Sequence, residues 1–212
     1  PYRMYPSGDN NTKNPFFDNL YRDRRDIHHD LNANLYAIVK LPFGFEYQMN
    51  FTPRYHWYEY MNHESAEHPE WAGDGGRSER KNEKTFNWQV DNILRWKKEF
   101  GEDHRVEATF LQNAEKGQWW KTVAQNKLYS PSDILGFHNI GAGTAPSVSS
   151  EDTYKTGDAL MGRLFYSFKD KYMLTASVRR DGYSAFGSMN PHAVFPAVAL
   201  GWVFTSEKFM EK

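Results

Sequence analysis

Cysteine is absent from the 212-residue sequence. That excludes disulfide scaffolds and thiolate metal sites and is compatible with any compartment. A charge excess is missing too. The net charge is -1, so no field favours nucleic acid or an anionic surface. There is no run of about 18 apolar residues that could form a spanning helix, and a mean hydropathy of -0.82 is too polar for a helical membrane protein. Pro1-Tyr2-Arg3-Met4 shows neither the basic start nor the apolar core of a signal peptide. Together with the featureless end at Phe209-Met210-Glu211-Lys212, this leads us to expect an internal section of a longer protein.

Catalytic patterns are equally scarce. His63 and His68 flank Glu64 and Glu67, but their spacing misses the i, i+4 pair of a zinc helix, and no apolar helical stripe surrounds them. Gly73-Asp74-Gly75-Gly76 lacks the lysine and following helix of a phosphate loop, and Gly136–Gly143 lacks the Lys-Ser/Thr ending. No Ser/His/Asp set or carboxylate pair shares one element. The expectation is therefore no catalytic residues, no metal, no cofactor and no enzyme.

What the chain does have is two-residue periodicity. Phe43, Phe45, Tyr47, Met49, Phe51, Pro53, Tyr55 and Trp57 alternate with Gly44, Glu46, Gln48, Asn50, Thr52, Arg54, His56 and Tyr58. A period of two places one set on each face of a strand. This strand is far longer than the usual five or six residues. Further strands are expected at about 28–40, 85–96, 104–112, 160–168, 172–179 and 193–204. Phe86 and Trp88 oppose Asp91 and Arg95, while Leu174 and Val178 oppose Thr175 and Arg179. Aromatics make up 17%, which suits strands with an apolar outer face and a wet inner one.

The connections alternate long and short: 59–82 is long, 99–103 short, 113–153 long, 169–171 short. In an up-and-down sheet this places the short turns at one end and the long loops at the other, as in outer-membrane barrels. The expected fold is all-β: an antiparallel up-and-down transmembrane β-barrel section of about seven strands. Bacterial single-chain barrels have even strand numbers, and an open apolar sheet would leave two unpaired edges in lipid. The expected division is an irregular external segment at 1–27, barrel wall at 28–205 and a periplasmic turn at 206–212.

Asp170-Lys171-Tyr172-Met173-Leu174-Thr175-Ala176-Ser177-Val178-Arg179-Arg180-Asp181-Gly182-Tyr183-Ser184-Ala185-Phe186-Gly187 resembles the pattern DKYLLTATVRRDGSSRFG of the SusC/RagA-like TonB-dependent transporters of Bacteroidetes. Phe195-Pro196-Ala197-Val198-Ala199-Leu200-Gly201-Trp202 resembles the FPSVSLGW that follows it, and Asn14-Pro15-Phe16-Phe17 resembles an earlier NPYY. Tyr183 and Ala185 depart from the pattern, where Ser and Arg are usual.

The resemblance implies a bacterial outer-membrane location and a plugged parent barrel of about 22 strands. It also implies import of glycans or peptides with a SusD-like lipoprotein lid, driven through TonB–ExbB–ExbD by a region outside this chain. Rival readings are a TonB-dependent receptor for iron chelates or cobalamin, and a soluble carbohydrate-binding β-sandwich. On the importer reading, Phe45, Tyr47, Met49, Phe51, Phe86, Trp88, Leu174, Val178 and Trp202 meet outer-membrane lipid. Glu46, Gln48, Asn50, Arg54, Asp91, Arg95 and Arg163 face the lumen. Trp71, Trp119, Trp120 and Phe137, expected on external loops, are candidate contacts for an oligosaccharide or peptide, since aromatic faces stack on sugar C–H groups.

Overall fold

A computed structural model describes residues 14–187 and 191–210, with Arg3 and Tyr5; the turn-rich run 6–11 lies outside the described residues. One short helix, α1 (Pro15–Tyr21), precedes eight strands: β1 (Arg22–Asn32), β2 (Leu35–Lys40), β3 (Phe45–Glu64), β4 (Arg77–Phe100), β5 (His104–Lys127), β6 (Ser147–Phe168), β7 (Tyr172–Tyr183) and β8 (His192–Trp202). They form one sheet in the order β1-β3-β4-β5-β6-β7-β8, with β2 also paired to β3. The single first strand expected at 28–40 is therefore two pieces that share one neighbour.

The sequence reading underestimated strand length. β4 and β5 have 24 residues each, so 113–127 and 77–82 are strand and not loop. The charge-rich stretch before Thr85 and the Trp119-Trp120 pair hid the period of two. Asn14-Pro15-Phe16-Phe17, inside the segment expected to be irregular, opens a helix. The Asn14 side chain accepts from the Phe16 amide at 3.1 Å, and Pro15 occupies the first turn, where its missing N–H costs nothing.

The chain gathers into two compact units. One comprises Pro1–Leu31, Tyr55–Thr85 and Trp119–Thr153, and contains the long connections 65–76 and 128–146. The other comprises Asn32–Arg54, Phe86–Gln118 and Tyr154–Lys212, and contains the tight connections 41–44, 101–103 and 169–171.

In the second unit the register fixes two unlike faces. On one, Leu164 faces Ala176, which faces Val198; Tyr166, Leu174 and Leu200 make the next row, and Phe168, Tyr172 and Trp202 the last. On the other, Arg163, Ser177 and Ala197 align. The apolar row is not enclosed: Val198 is 73% and Leu200 81% exposed. Among the described residues only Phe137 and Ala159 are buried hydrophobics, whereas Asn62, Glu64, His68, Ser78, Asn113, Asn126 and Ser167 are buried polar groups. A water-soluble sandwich buries its apolar faces against each other. This sheet does the reverse.

Polar groups on the apolar face satisfy one another. Tyr47 donates to Asn92 at 2.6 Å, and Asn92 donates to Gln112 at 2.6 Å, a ladder across β3, β4 and β5. The Arg-Arg-Asp-Gly run resolves by the same alternation. Arg179 Nε bonds Asp181 at 2.7 Å on one face, while Arg180 meets Asp158 on the other. At Gly182 a Cβ would collide with Asp158 and His192, its register neighbours on both sides.

The turn after β8 is held by Glu207, which accepts from the Tyr172 hydroxyl and from the Trp202 indole, with Lys171 Nζ at 3.8 Å. The Tyr172 bond, then that of Trp202 and the Lys171 charge, hold the Glu207 carboxyl below its usual range.

Two outcomes are expected. In the full-length protein refolded into bilayers, Leu174→Arg costs about 2–4 kcal/mol in urea unfolding, while Thr175→Arg on the opposite face costs far less. Because the Glu207 value is depressed in the fold, the turn's stabilisation is complete above about pH 4.3 and is lost as pH falls through the depressed value. Hydrogen exchange at residues 203–207 should accelerate only on that acid side, and Glu207→Gln should abolish the pH dependence.

Candidate functional site

Within the first unit, β1, β3 and β4 present a stack of rings and charges on one face. His28 stacks on Tyr58 with centroids 4.5 Å apart, and His56 lies 5.5 Å from His28. His56 Nδ1 is 2.7 Å from Asp30, the Tyr58 hydroxyl donates to Asp26 at 2.7 Å, and Arg24 Nε donates to Asp26 at 2.8 Å. Lys81 caps Tyr58 at 4.9 Å and approaches Tyr60 at 5.4 Å. Glu83 accepts from Trp119 at 3.4 Å, and Glu79 from Gln125 at 2.7 Å. Alternation puts the odd residues of β4 and β5 on this face, so Trp119 belongs to it and Trp120 points the other way.

The same unit has a polar interior under its loops. Glu64 is 5% exposed between Arg22 Nε at 3.7 Å and Arg77 Nε at 3.4 Å. Arg22 also donates to the buried Asn62 at 3.0 Å. Buried His68 meets Asp18 at 3.2 Å and accepts from the Glu70 amide at 3.1 Å. Trp71 is covered by Arg77, 4.9 Å from its centroid.

Three residues far apart in sequence meet here: Ser78 Oγ is 2.9 Å from His63 Nδ1, and His63 Nε2 is 3.6 Å from Asp133. The types are those of a hydrolytic triad, but the arrangement cannot attack a substrate. Ser78 has 0% exposure, and Asp133 Oδ2 is engaged by the Ala66 amide at 2.7 Å. The Tyr129 hydroxyl donates to the Ile140 carbonyl at 3.4 Å, and burial raises the Tyr129 pKa. The cluster ties the ends of β3 and β4 to the 128–146 loop. Its residues are distributed over three elements, so no local motif signals it.

In the second unit the polar face is a salt-bridge lattice. Arg95 bonds Glu46 at 3.2 Å and Gln48 at 2.7 Å; Gln48 in turn donates to Asn50 at 2.8 Å. Asp91 accepts from Gln89 and, at 2.7 Å, from Asn113. Arg95, Arg105, Glu107, Thr109, Arg163 and Phe165 line a polar hollow. Glu46, Gln48 and Asn50 sit opposite Lys40, Ile38 and Tyr36 on β2, and Phe51, Met49 and Tyr47 opposite Leu35, Ala37 and Val39. Phe45, Phe86 and Trp88 follow the apolar alternation, and Arg54 the polar one.

Three of the four expected aromatic positions differ from the expectation. Phe137 is 1% exposed beneath Arg25, 5.3 Å from its centroid, so it forms the small apolar centre of the loop cluster and presents no free ring. Trp120 is on a strand, on the face opposite Trp119. Trp119 is itself on β5 and not on a loop. Among the described residues no group of three His, Cys, Asp or Glu side chains is placed to hold a metal ion.

Removing Glu64 leaves two half-buried guanidinium groups without their shared acid. Glu64→Ala is expected to cost about 1–3 kcal/mol, read as faster hydrogen exchange across 65–76 in the full-length protein, with Glu64→Gln intermediate.

The description "TonB dependent receptor-like, beta-barrel" matches residues 1–208. TonB-dependent receptor P26 of Formosa agariphila is 29% identical over 144 residues, covering 66% of this chain and 14% of that protein. TonB-dependent receptor SusC of Bacteroides thetaiotaomicron is 31% identical over 100 residues, covering 46% of this chain and 8% of SusC. The solved RagAB peptide transporter superposes over 100% of this chain and 24% of its own, with a TM-score of 0.86 at 18% identity. The chain thus spans a small part of the length of the proteins it matches. An exposed apolar face, a polar face of paired charges and these matches lead to one conclusion: the chain belongs to the TonB-dependent receptor-like β-barrel family, as a section of an outer-membrane barrel.

Proposed function

We propose that this section forms part of the wall of an importer that takes up oligosaccharides or peptides with a SusD-like surface lipoprotein, powered through TonB–ExbB–ExbD by a region outside this chain. The carrying observation is the exposed apolar face over a polar one, with only Phe137 and Ala159 as buried hydrophobics among the described residues. Such a sheet is stable only where hydrocarbon lies on one side and water or polar protein on the other.

On this reading Phe45, Tyr47, Met49, Phe51, Phe86, Trp88, Leu174, Val178 and Trp202 touch lipid. Glu46, Gln48, Asn50, Arg54, Asp91, Arg95 and Arg163 line the lumen. The wall performs no bond chemistry; it supplies rigidity and a wet lining. Trp119 and Trp71 remain the aromatic candidates for substrate contact, beside the His28–Tyr58 stack. The likeness to RagAB, a peptide transporter, supports peptides, and the SusC relationship supports the SusC-like importer class.

The test is genetic and uses the full-length receptor. The receptor gene and any adjacent SusD-like gene are deleted separately, and growth is scored on oligosaccharides, on peptides, and under limitation for iron chelates or cobalamin. Both deletions should abolish growth on one oligosaccharide or peptide class. Loss confined to iron chelates or cobalamin, or no loss in any medium, overturns the proposal.

A further inference from the structure

We infer that His28 and His56, neighbours on the polar face of β1 and β3 in the first unit, hold a late first-row divalent metal ion such as zinc, with the remaining coordination positions left to water or to a donor atom of the cargo. The two rings stand on strands that pair with each other. Their centroids are 5.5 Å apart and their planes are inclined by 34°. A zinc ion about 2.1 Å from one nitrogen of each ring, at a tetrahedral angle, sets the two centroids about 5.2 Å apart. The rings therefore sit at the spacing of a shared ion without any strand having to move. Solvent reaches both: His28 is exposed, and the His56 side chain is 38% exposed.

The surroundings prepare the nitrogens. His56 Nδ1 lies 2.7 Å from Asp30. A carboxylate there accepts from Nδ1–H and leaves the Nε2 lone pair for an ion, the arrangement that usually stands behind a metal-bound imidazole. His28 lies against Tyr58 with the ring planes 21° apart. Stacking covers a ring face and leaves the ring edge, where both nitrogens are; among the described residues no hydrogen bond engages them. The Tyr58 hydroxyl and Arg24 both donate to Asp26, so neither competes for the imidazoles. By alternation Asp26, Asp30, Glu79 and Glu83 share this face with Arg24, Arg54, Lys81 and Lys121, so the nearby charges cancel. Further along, Glu64 is taken by Arg22 and Arg77. A hard ion such as calcium or magnesium needs an excess of anionic oxygens and finds none here. Imidazole nitrogen suits zinc, copper and nickel. Two protein donors make an open, exchangeable site, unlike the three or four of a catalytic or structural zinc centre. The histidines come from different strands, so no local spacing motif marks them.

The test uses purified full-length receptor in detergent, stripped with a chelator and dialysed against zinc chloride. Wild-type receptor should bind one zinc ion more than the double variant His28→Ala with His56→Ala, and excess magnesium should not displace that ion. Each single alanine variant should weaken the same equivalent about tenfold or more. Asp30→Asn keeps both metal ligands and removes the group that orients His56; it should weaken binding about tenfold, and Asp30→Glu should restore most of it. His29→Ala lies one position along β1 on the opposite face, beside Trp57 at 5.7 Å, and should leave zinc binding unchanged. Equal zinc stoichiometry in wild type and double variant, displacement by magnesium, or equal weakening by His29→Ala and His28→Ala overturns the inference. Any of these defeats the metal site alone, because the importer reading is decided by growth of the deletion strains.

Discussion

In hydrocarbon a main-chain amide has no water to turn to, and every unpaired N–H or C=O costs several kcal/mol. The architecture of the second unit follows from that. Strands of 20 to 24 residues pair along most of their length, and the side chains then have only two places to go. The apolar set takes the exposed face, as Val198 and Leu200 show. The polar set pairs with itself, as Arg95 does with Glu46 and Gln48. Among the described residues β1 and β2 pair only with β3, and β8 only with β7, which suits a section whose edges are met by further strands of a barrel.

The first unit stands on a different principle. Its interior is ionic and amide-rich: Glu64 between two arginines, Asn62 beside them, His68 and Ser78 fully enclosed. Dry charge is costly, and Glu64 Oε2 has no hydrogen-bond partner, so the acid is balanced by the two guanidinium charges alone. Long loops carrying little apolar sequence can still be held in place this way. The Ser78–His63–Asp133 cluster is one such tie, and its resemblance to a hydrolytic triad ends at the fully covered hydroxyl.

Much of this was legible in the sequence where one side-chain period dominates. Phe43 to Tyr58 shows its alternation without help, and the Arg-Arg-Asp-Gly run identified the family. What escaped had physical reasons. In β4, Glu79 to Lys84 are polar on both faces, so burial leaves no periodic trace. In β5, Trp119 and Trp120 are adjacent, so one ring faces each side and the pair reads as irregular. The Phe137 ring is buried by Arg25 from a distant strand, which no local pattern encodes. The helix at Pro15–Tyr21 was readable from its Asn-Pro cap, but it is only seven residues long and leads straight into β1.

The Tyr47–Asn92–Gln112 ladder has a further consequence. A strand that slips by one residue exposes every polar group to the wrong medium and is rejected at once. A slip of two keeps oily and wet faces correctly sorted, so hydrophobicity is blind to it. Three side chains that must come within hydrogen-bond reach across three neighbouring strands are not blind to it: they act as an alignment mark, penalising the error that amphipathic patterning alone would let through.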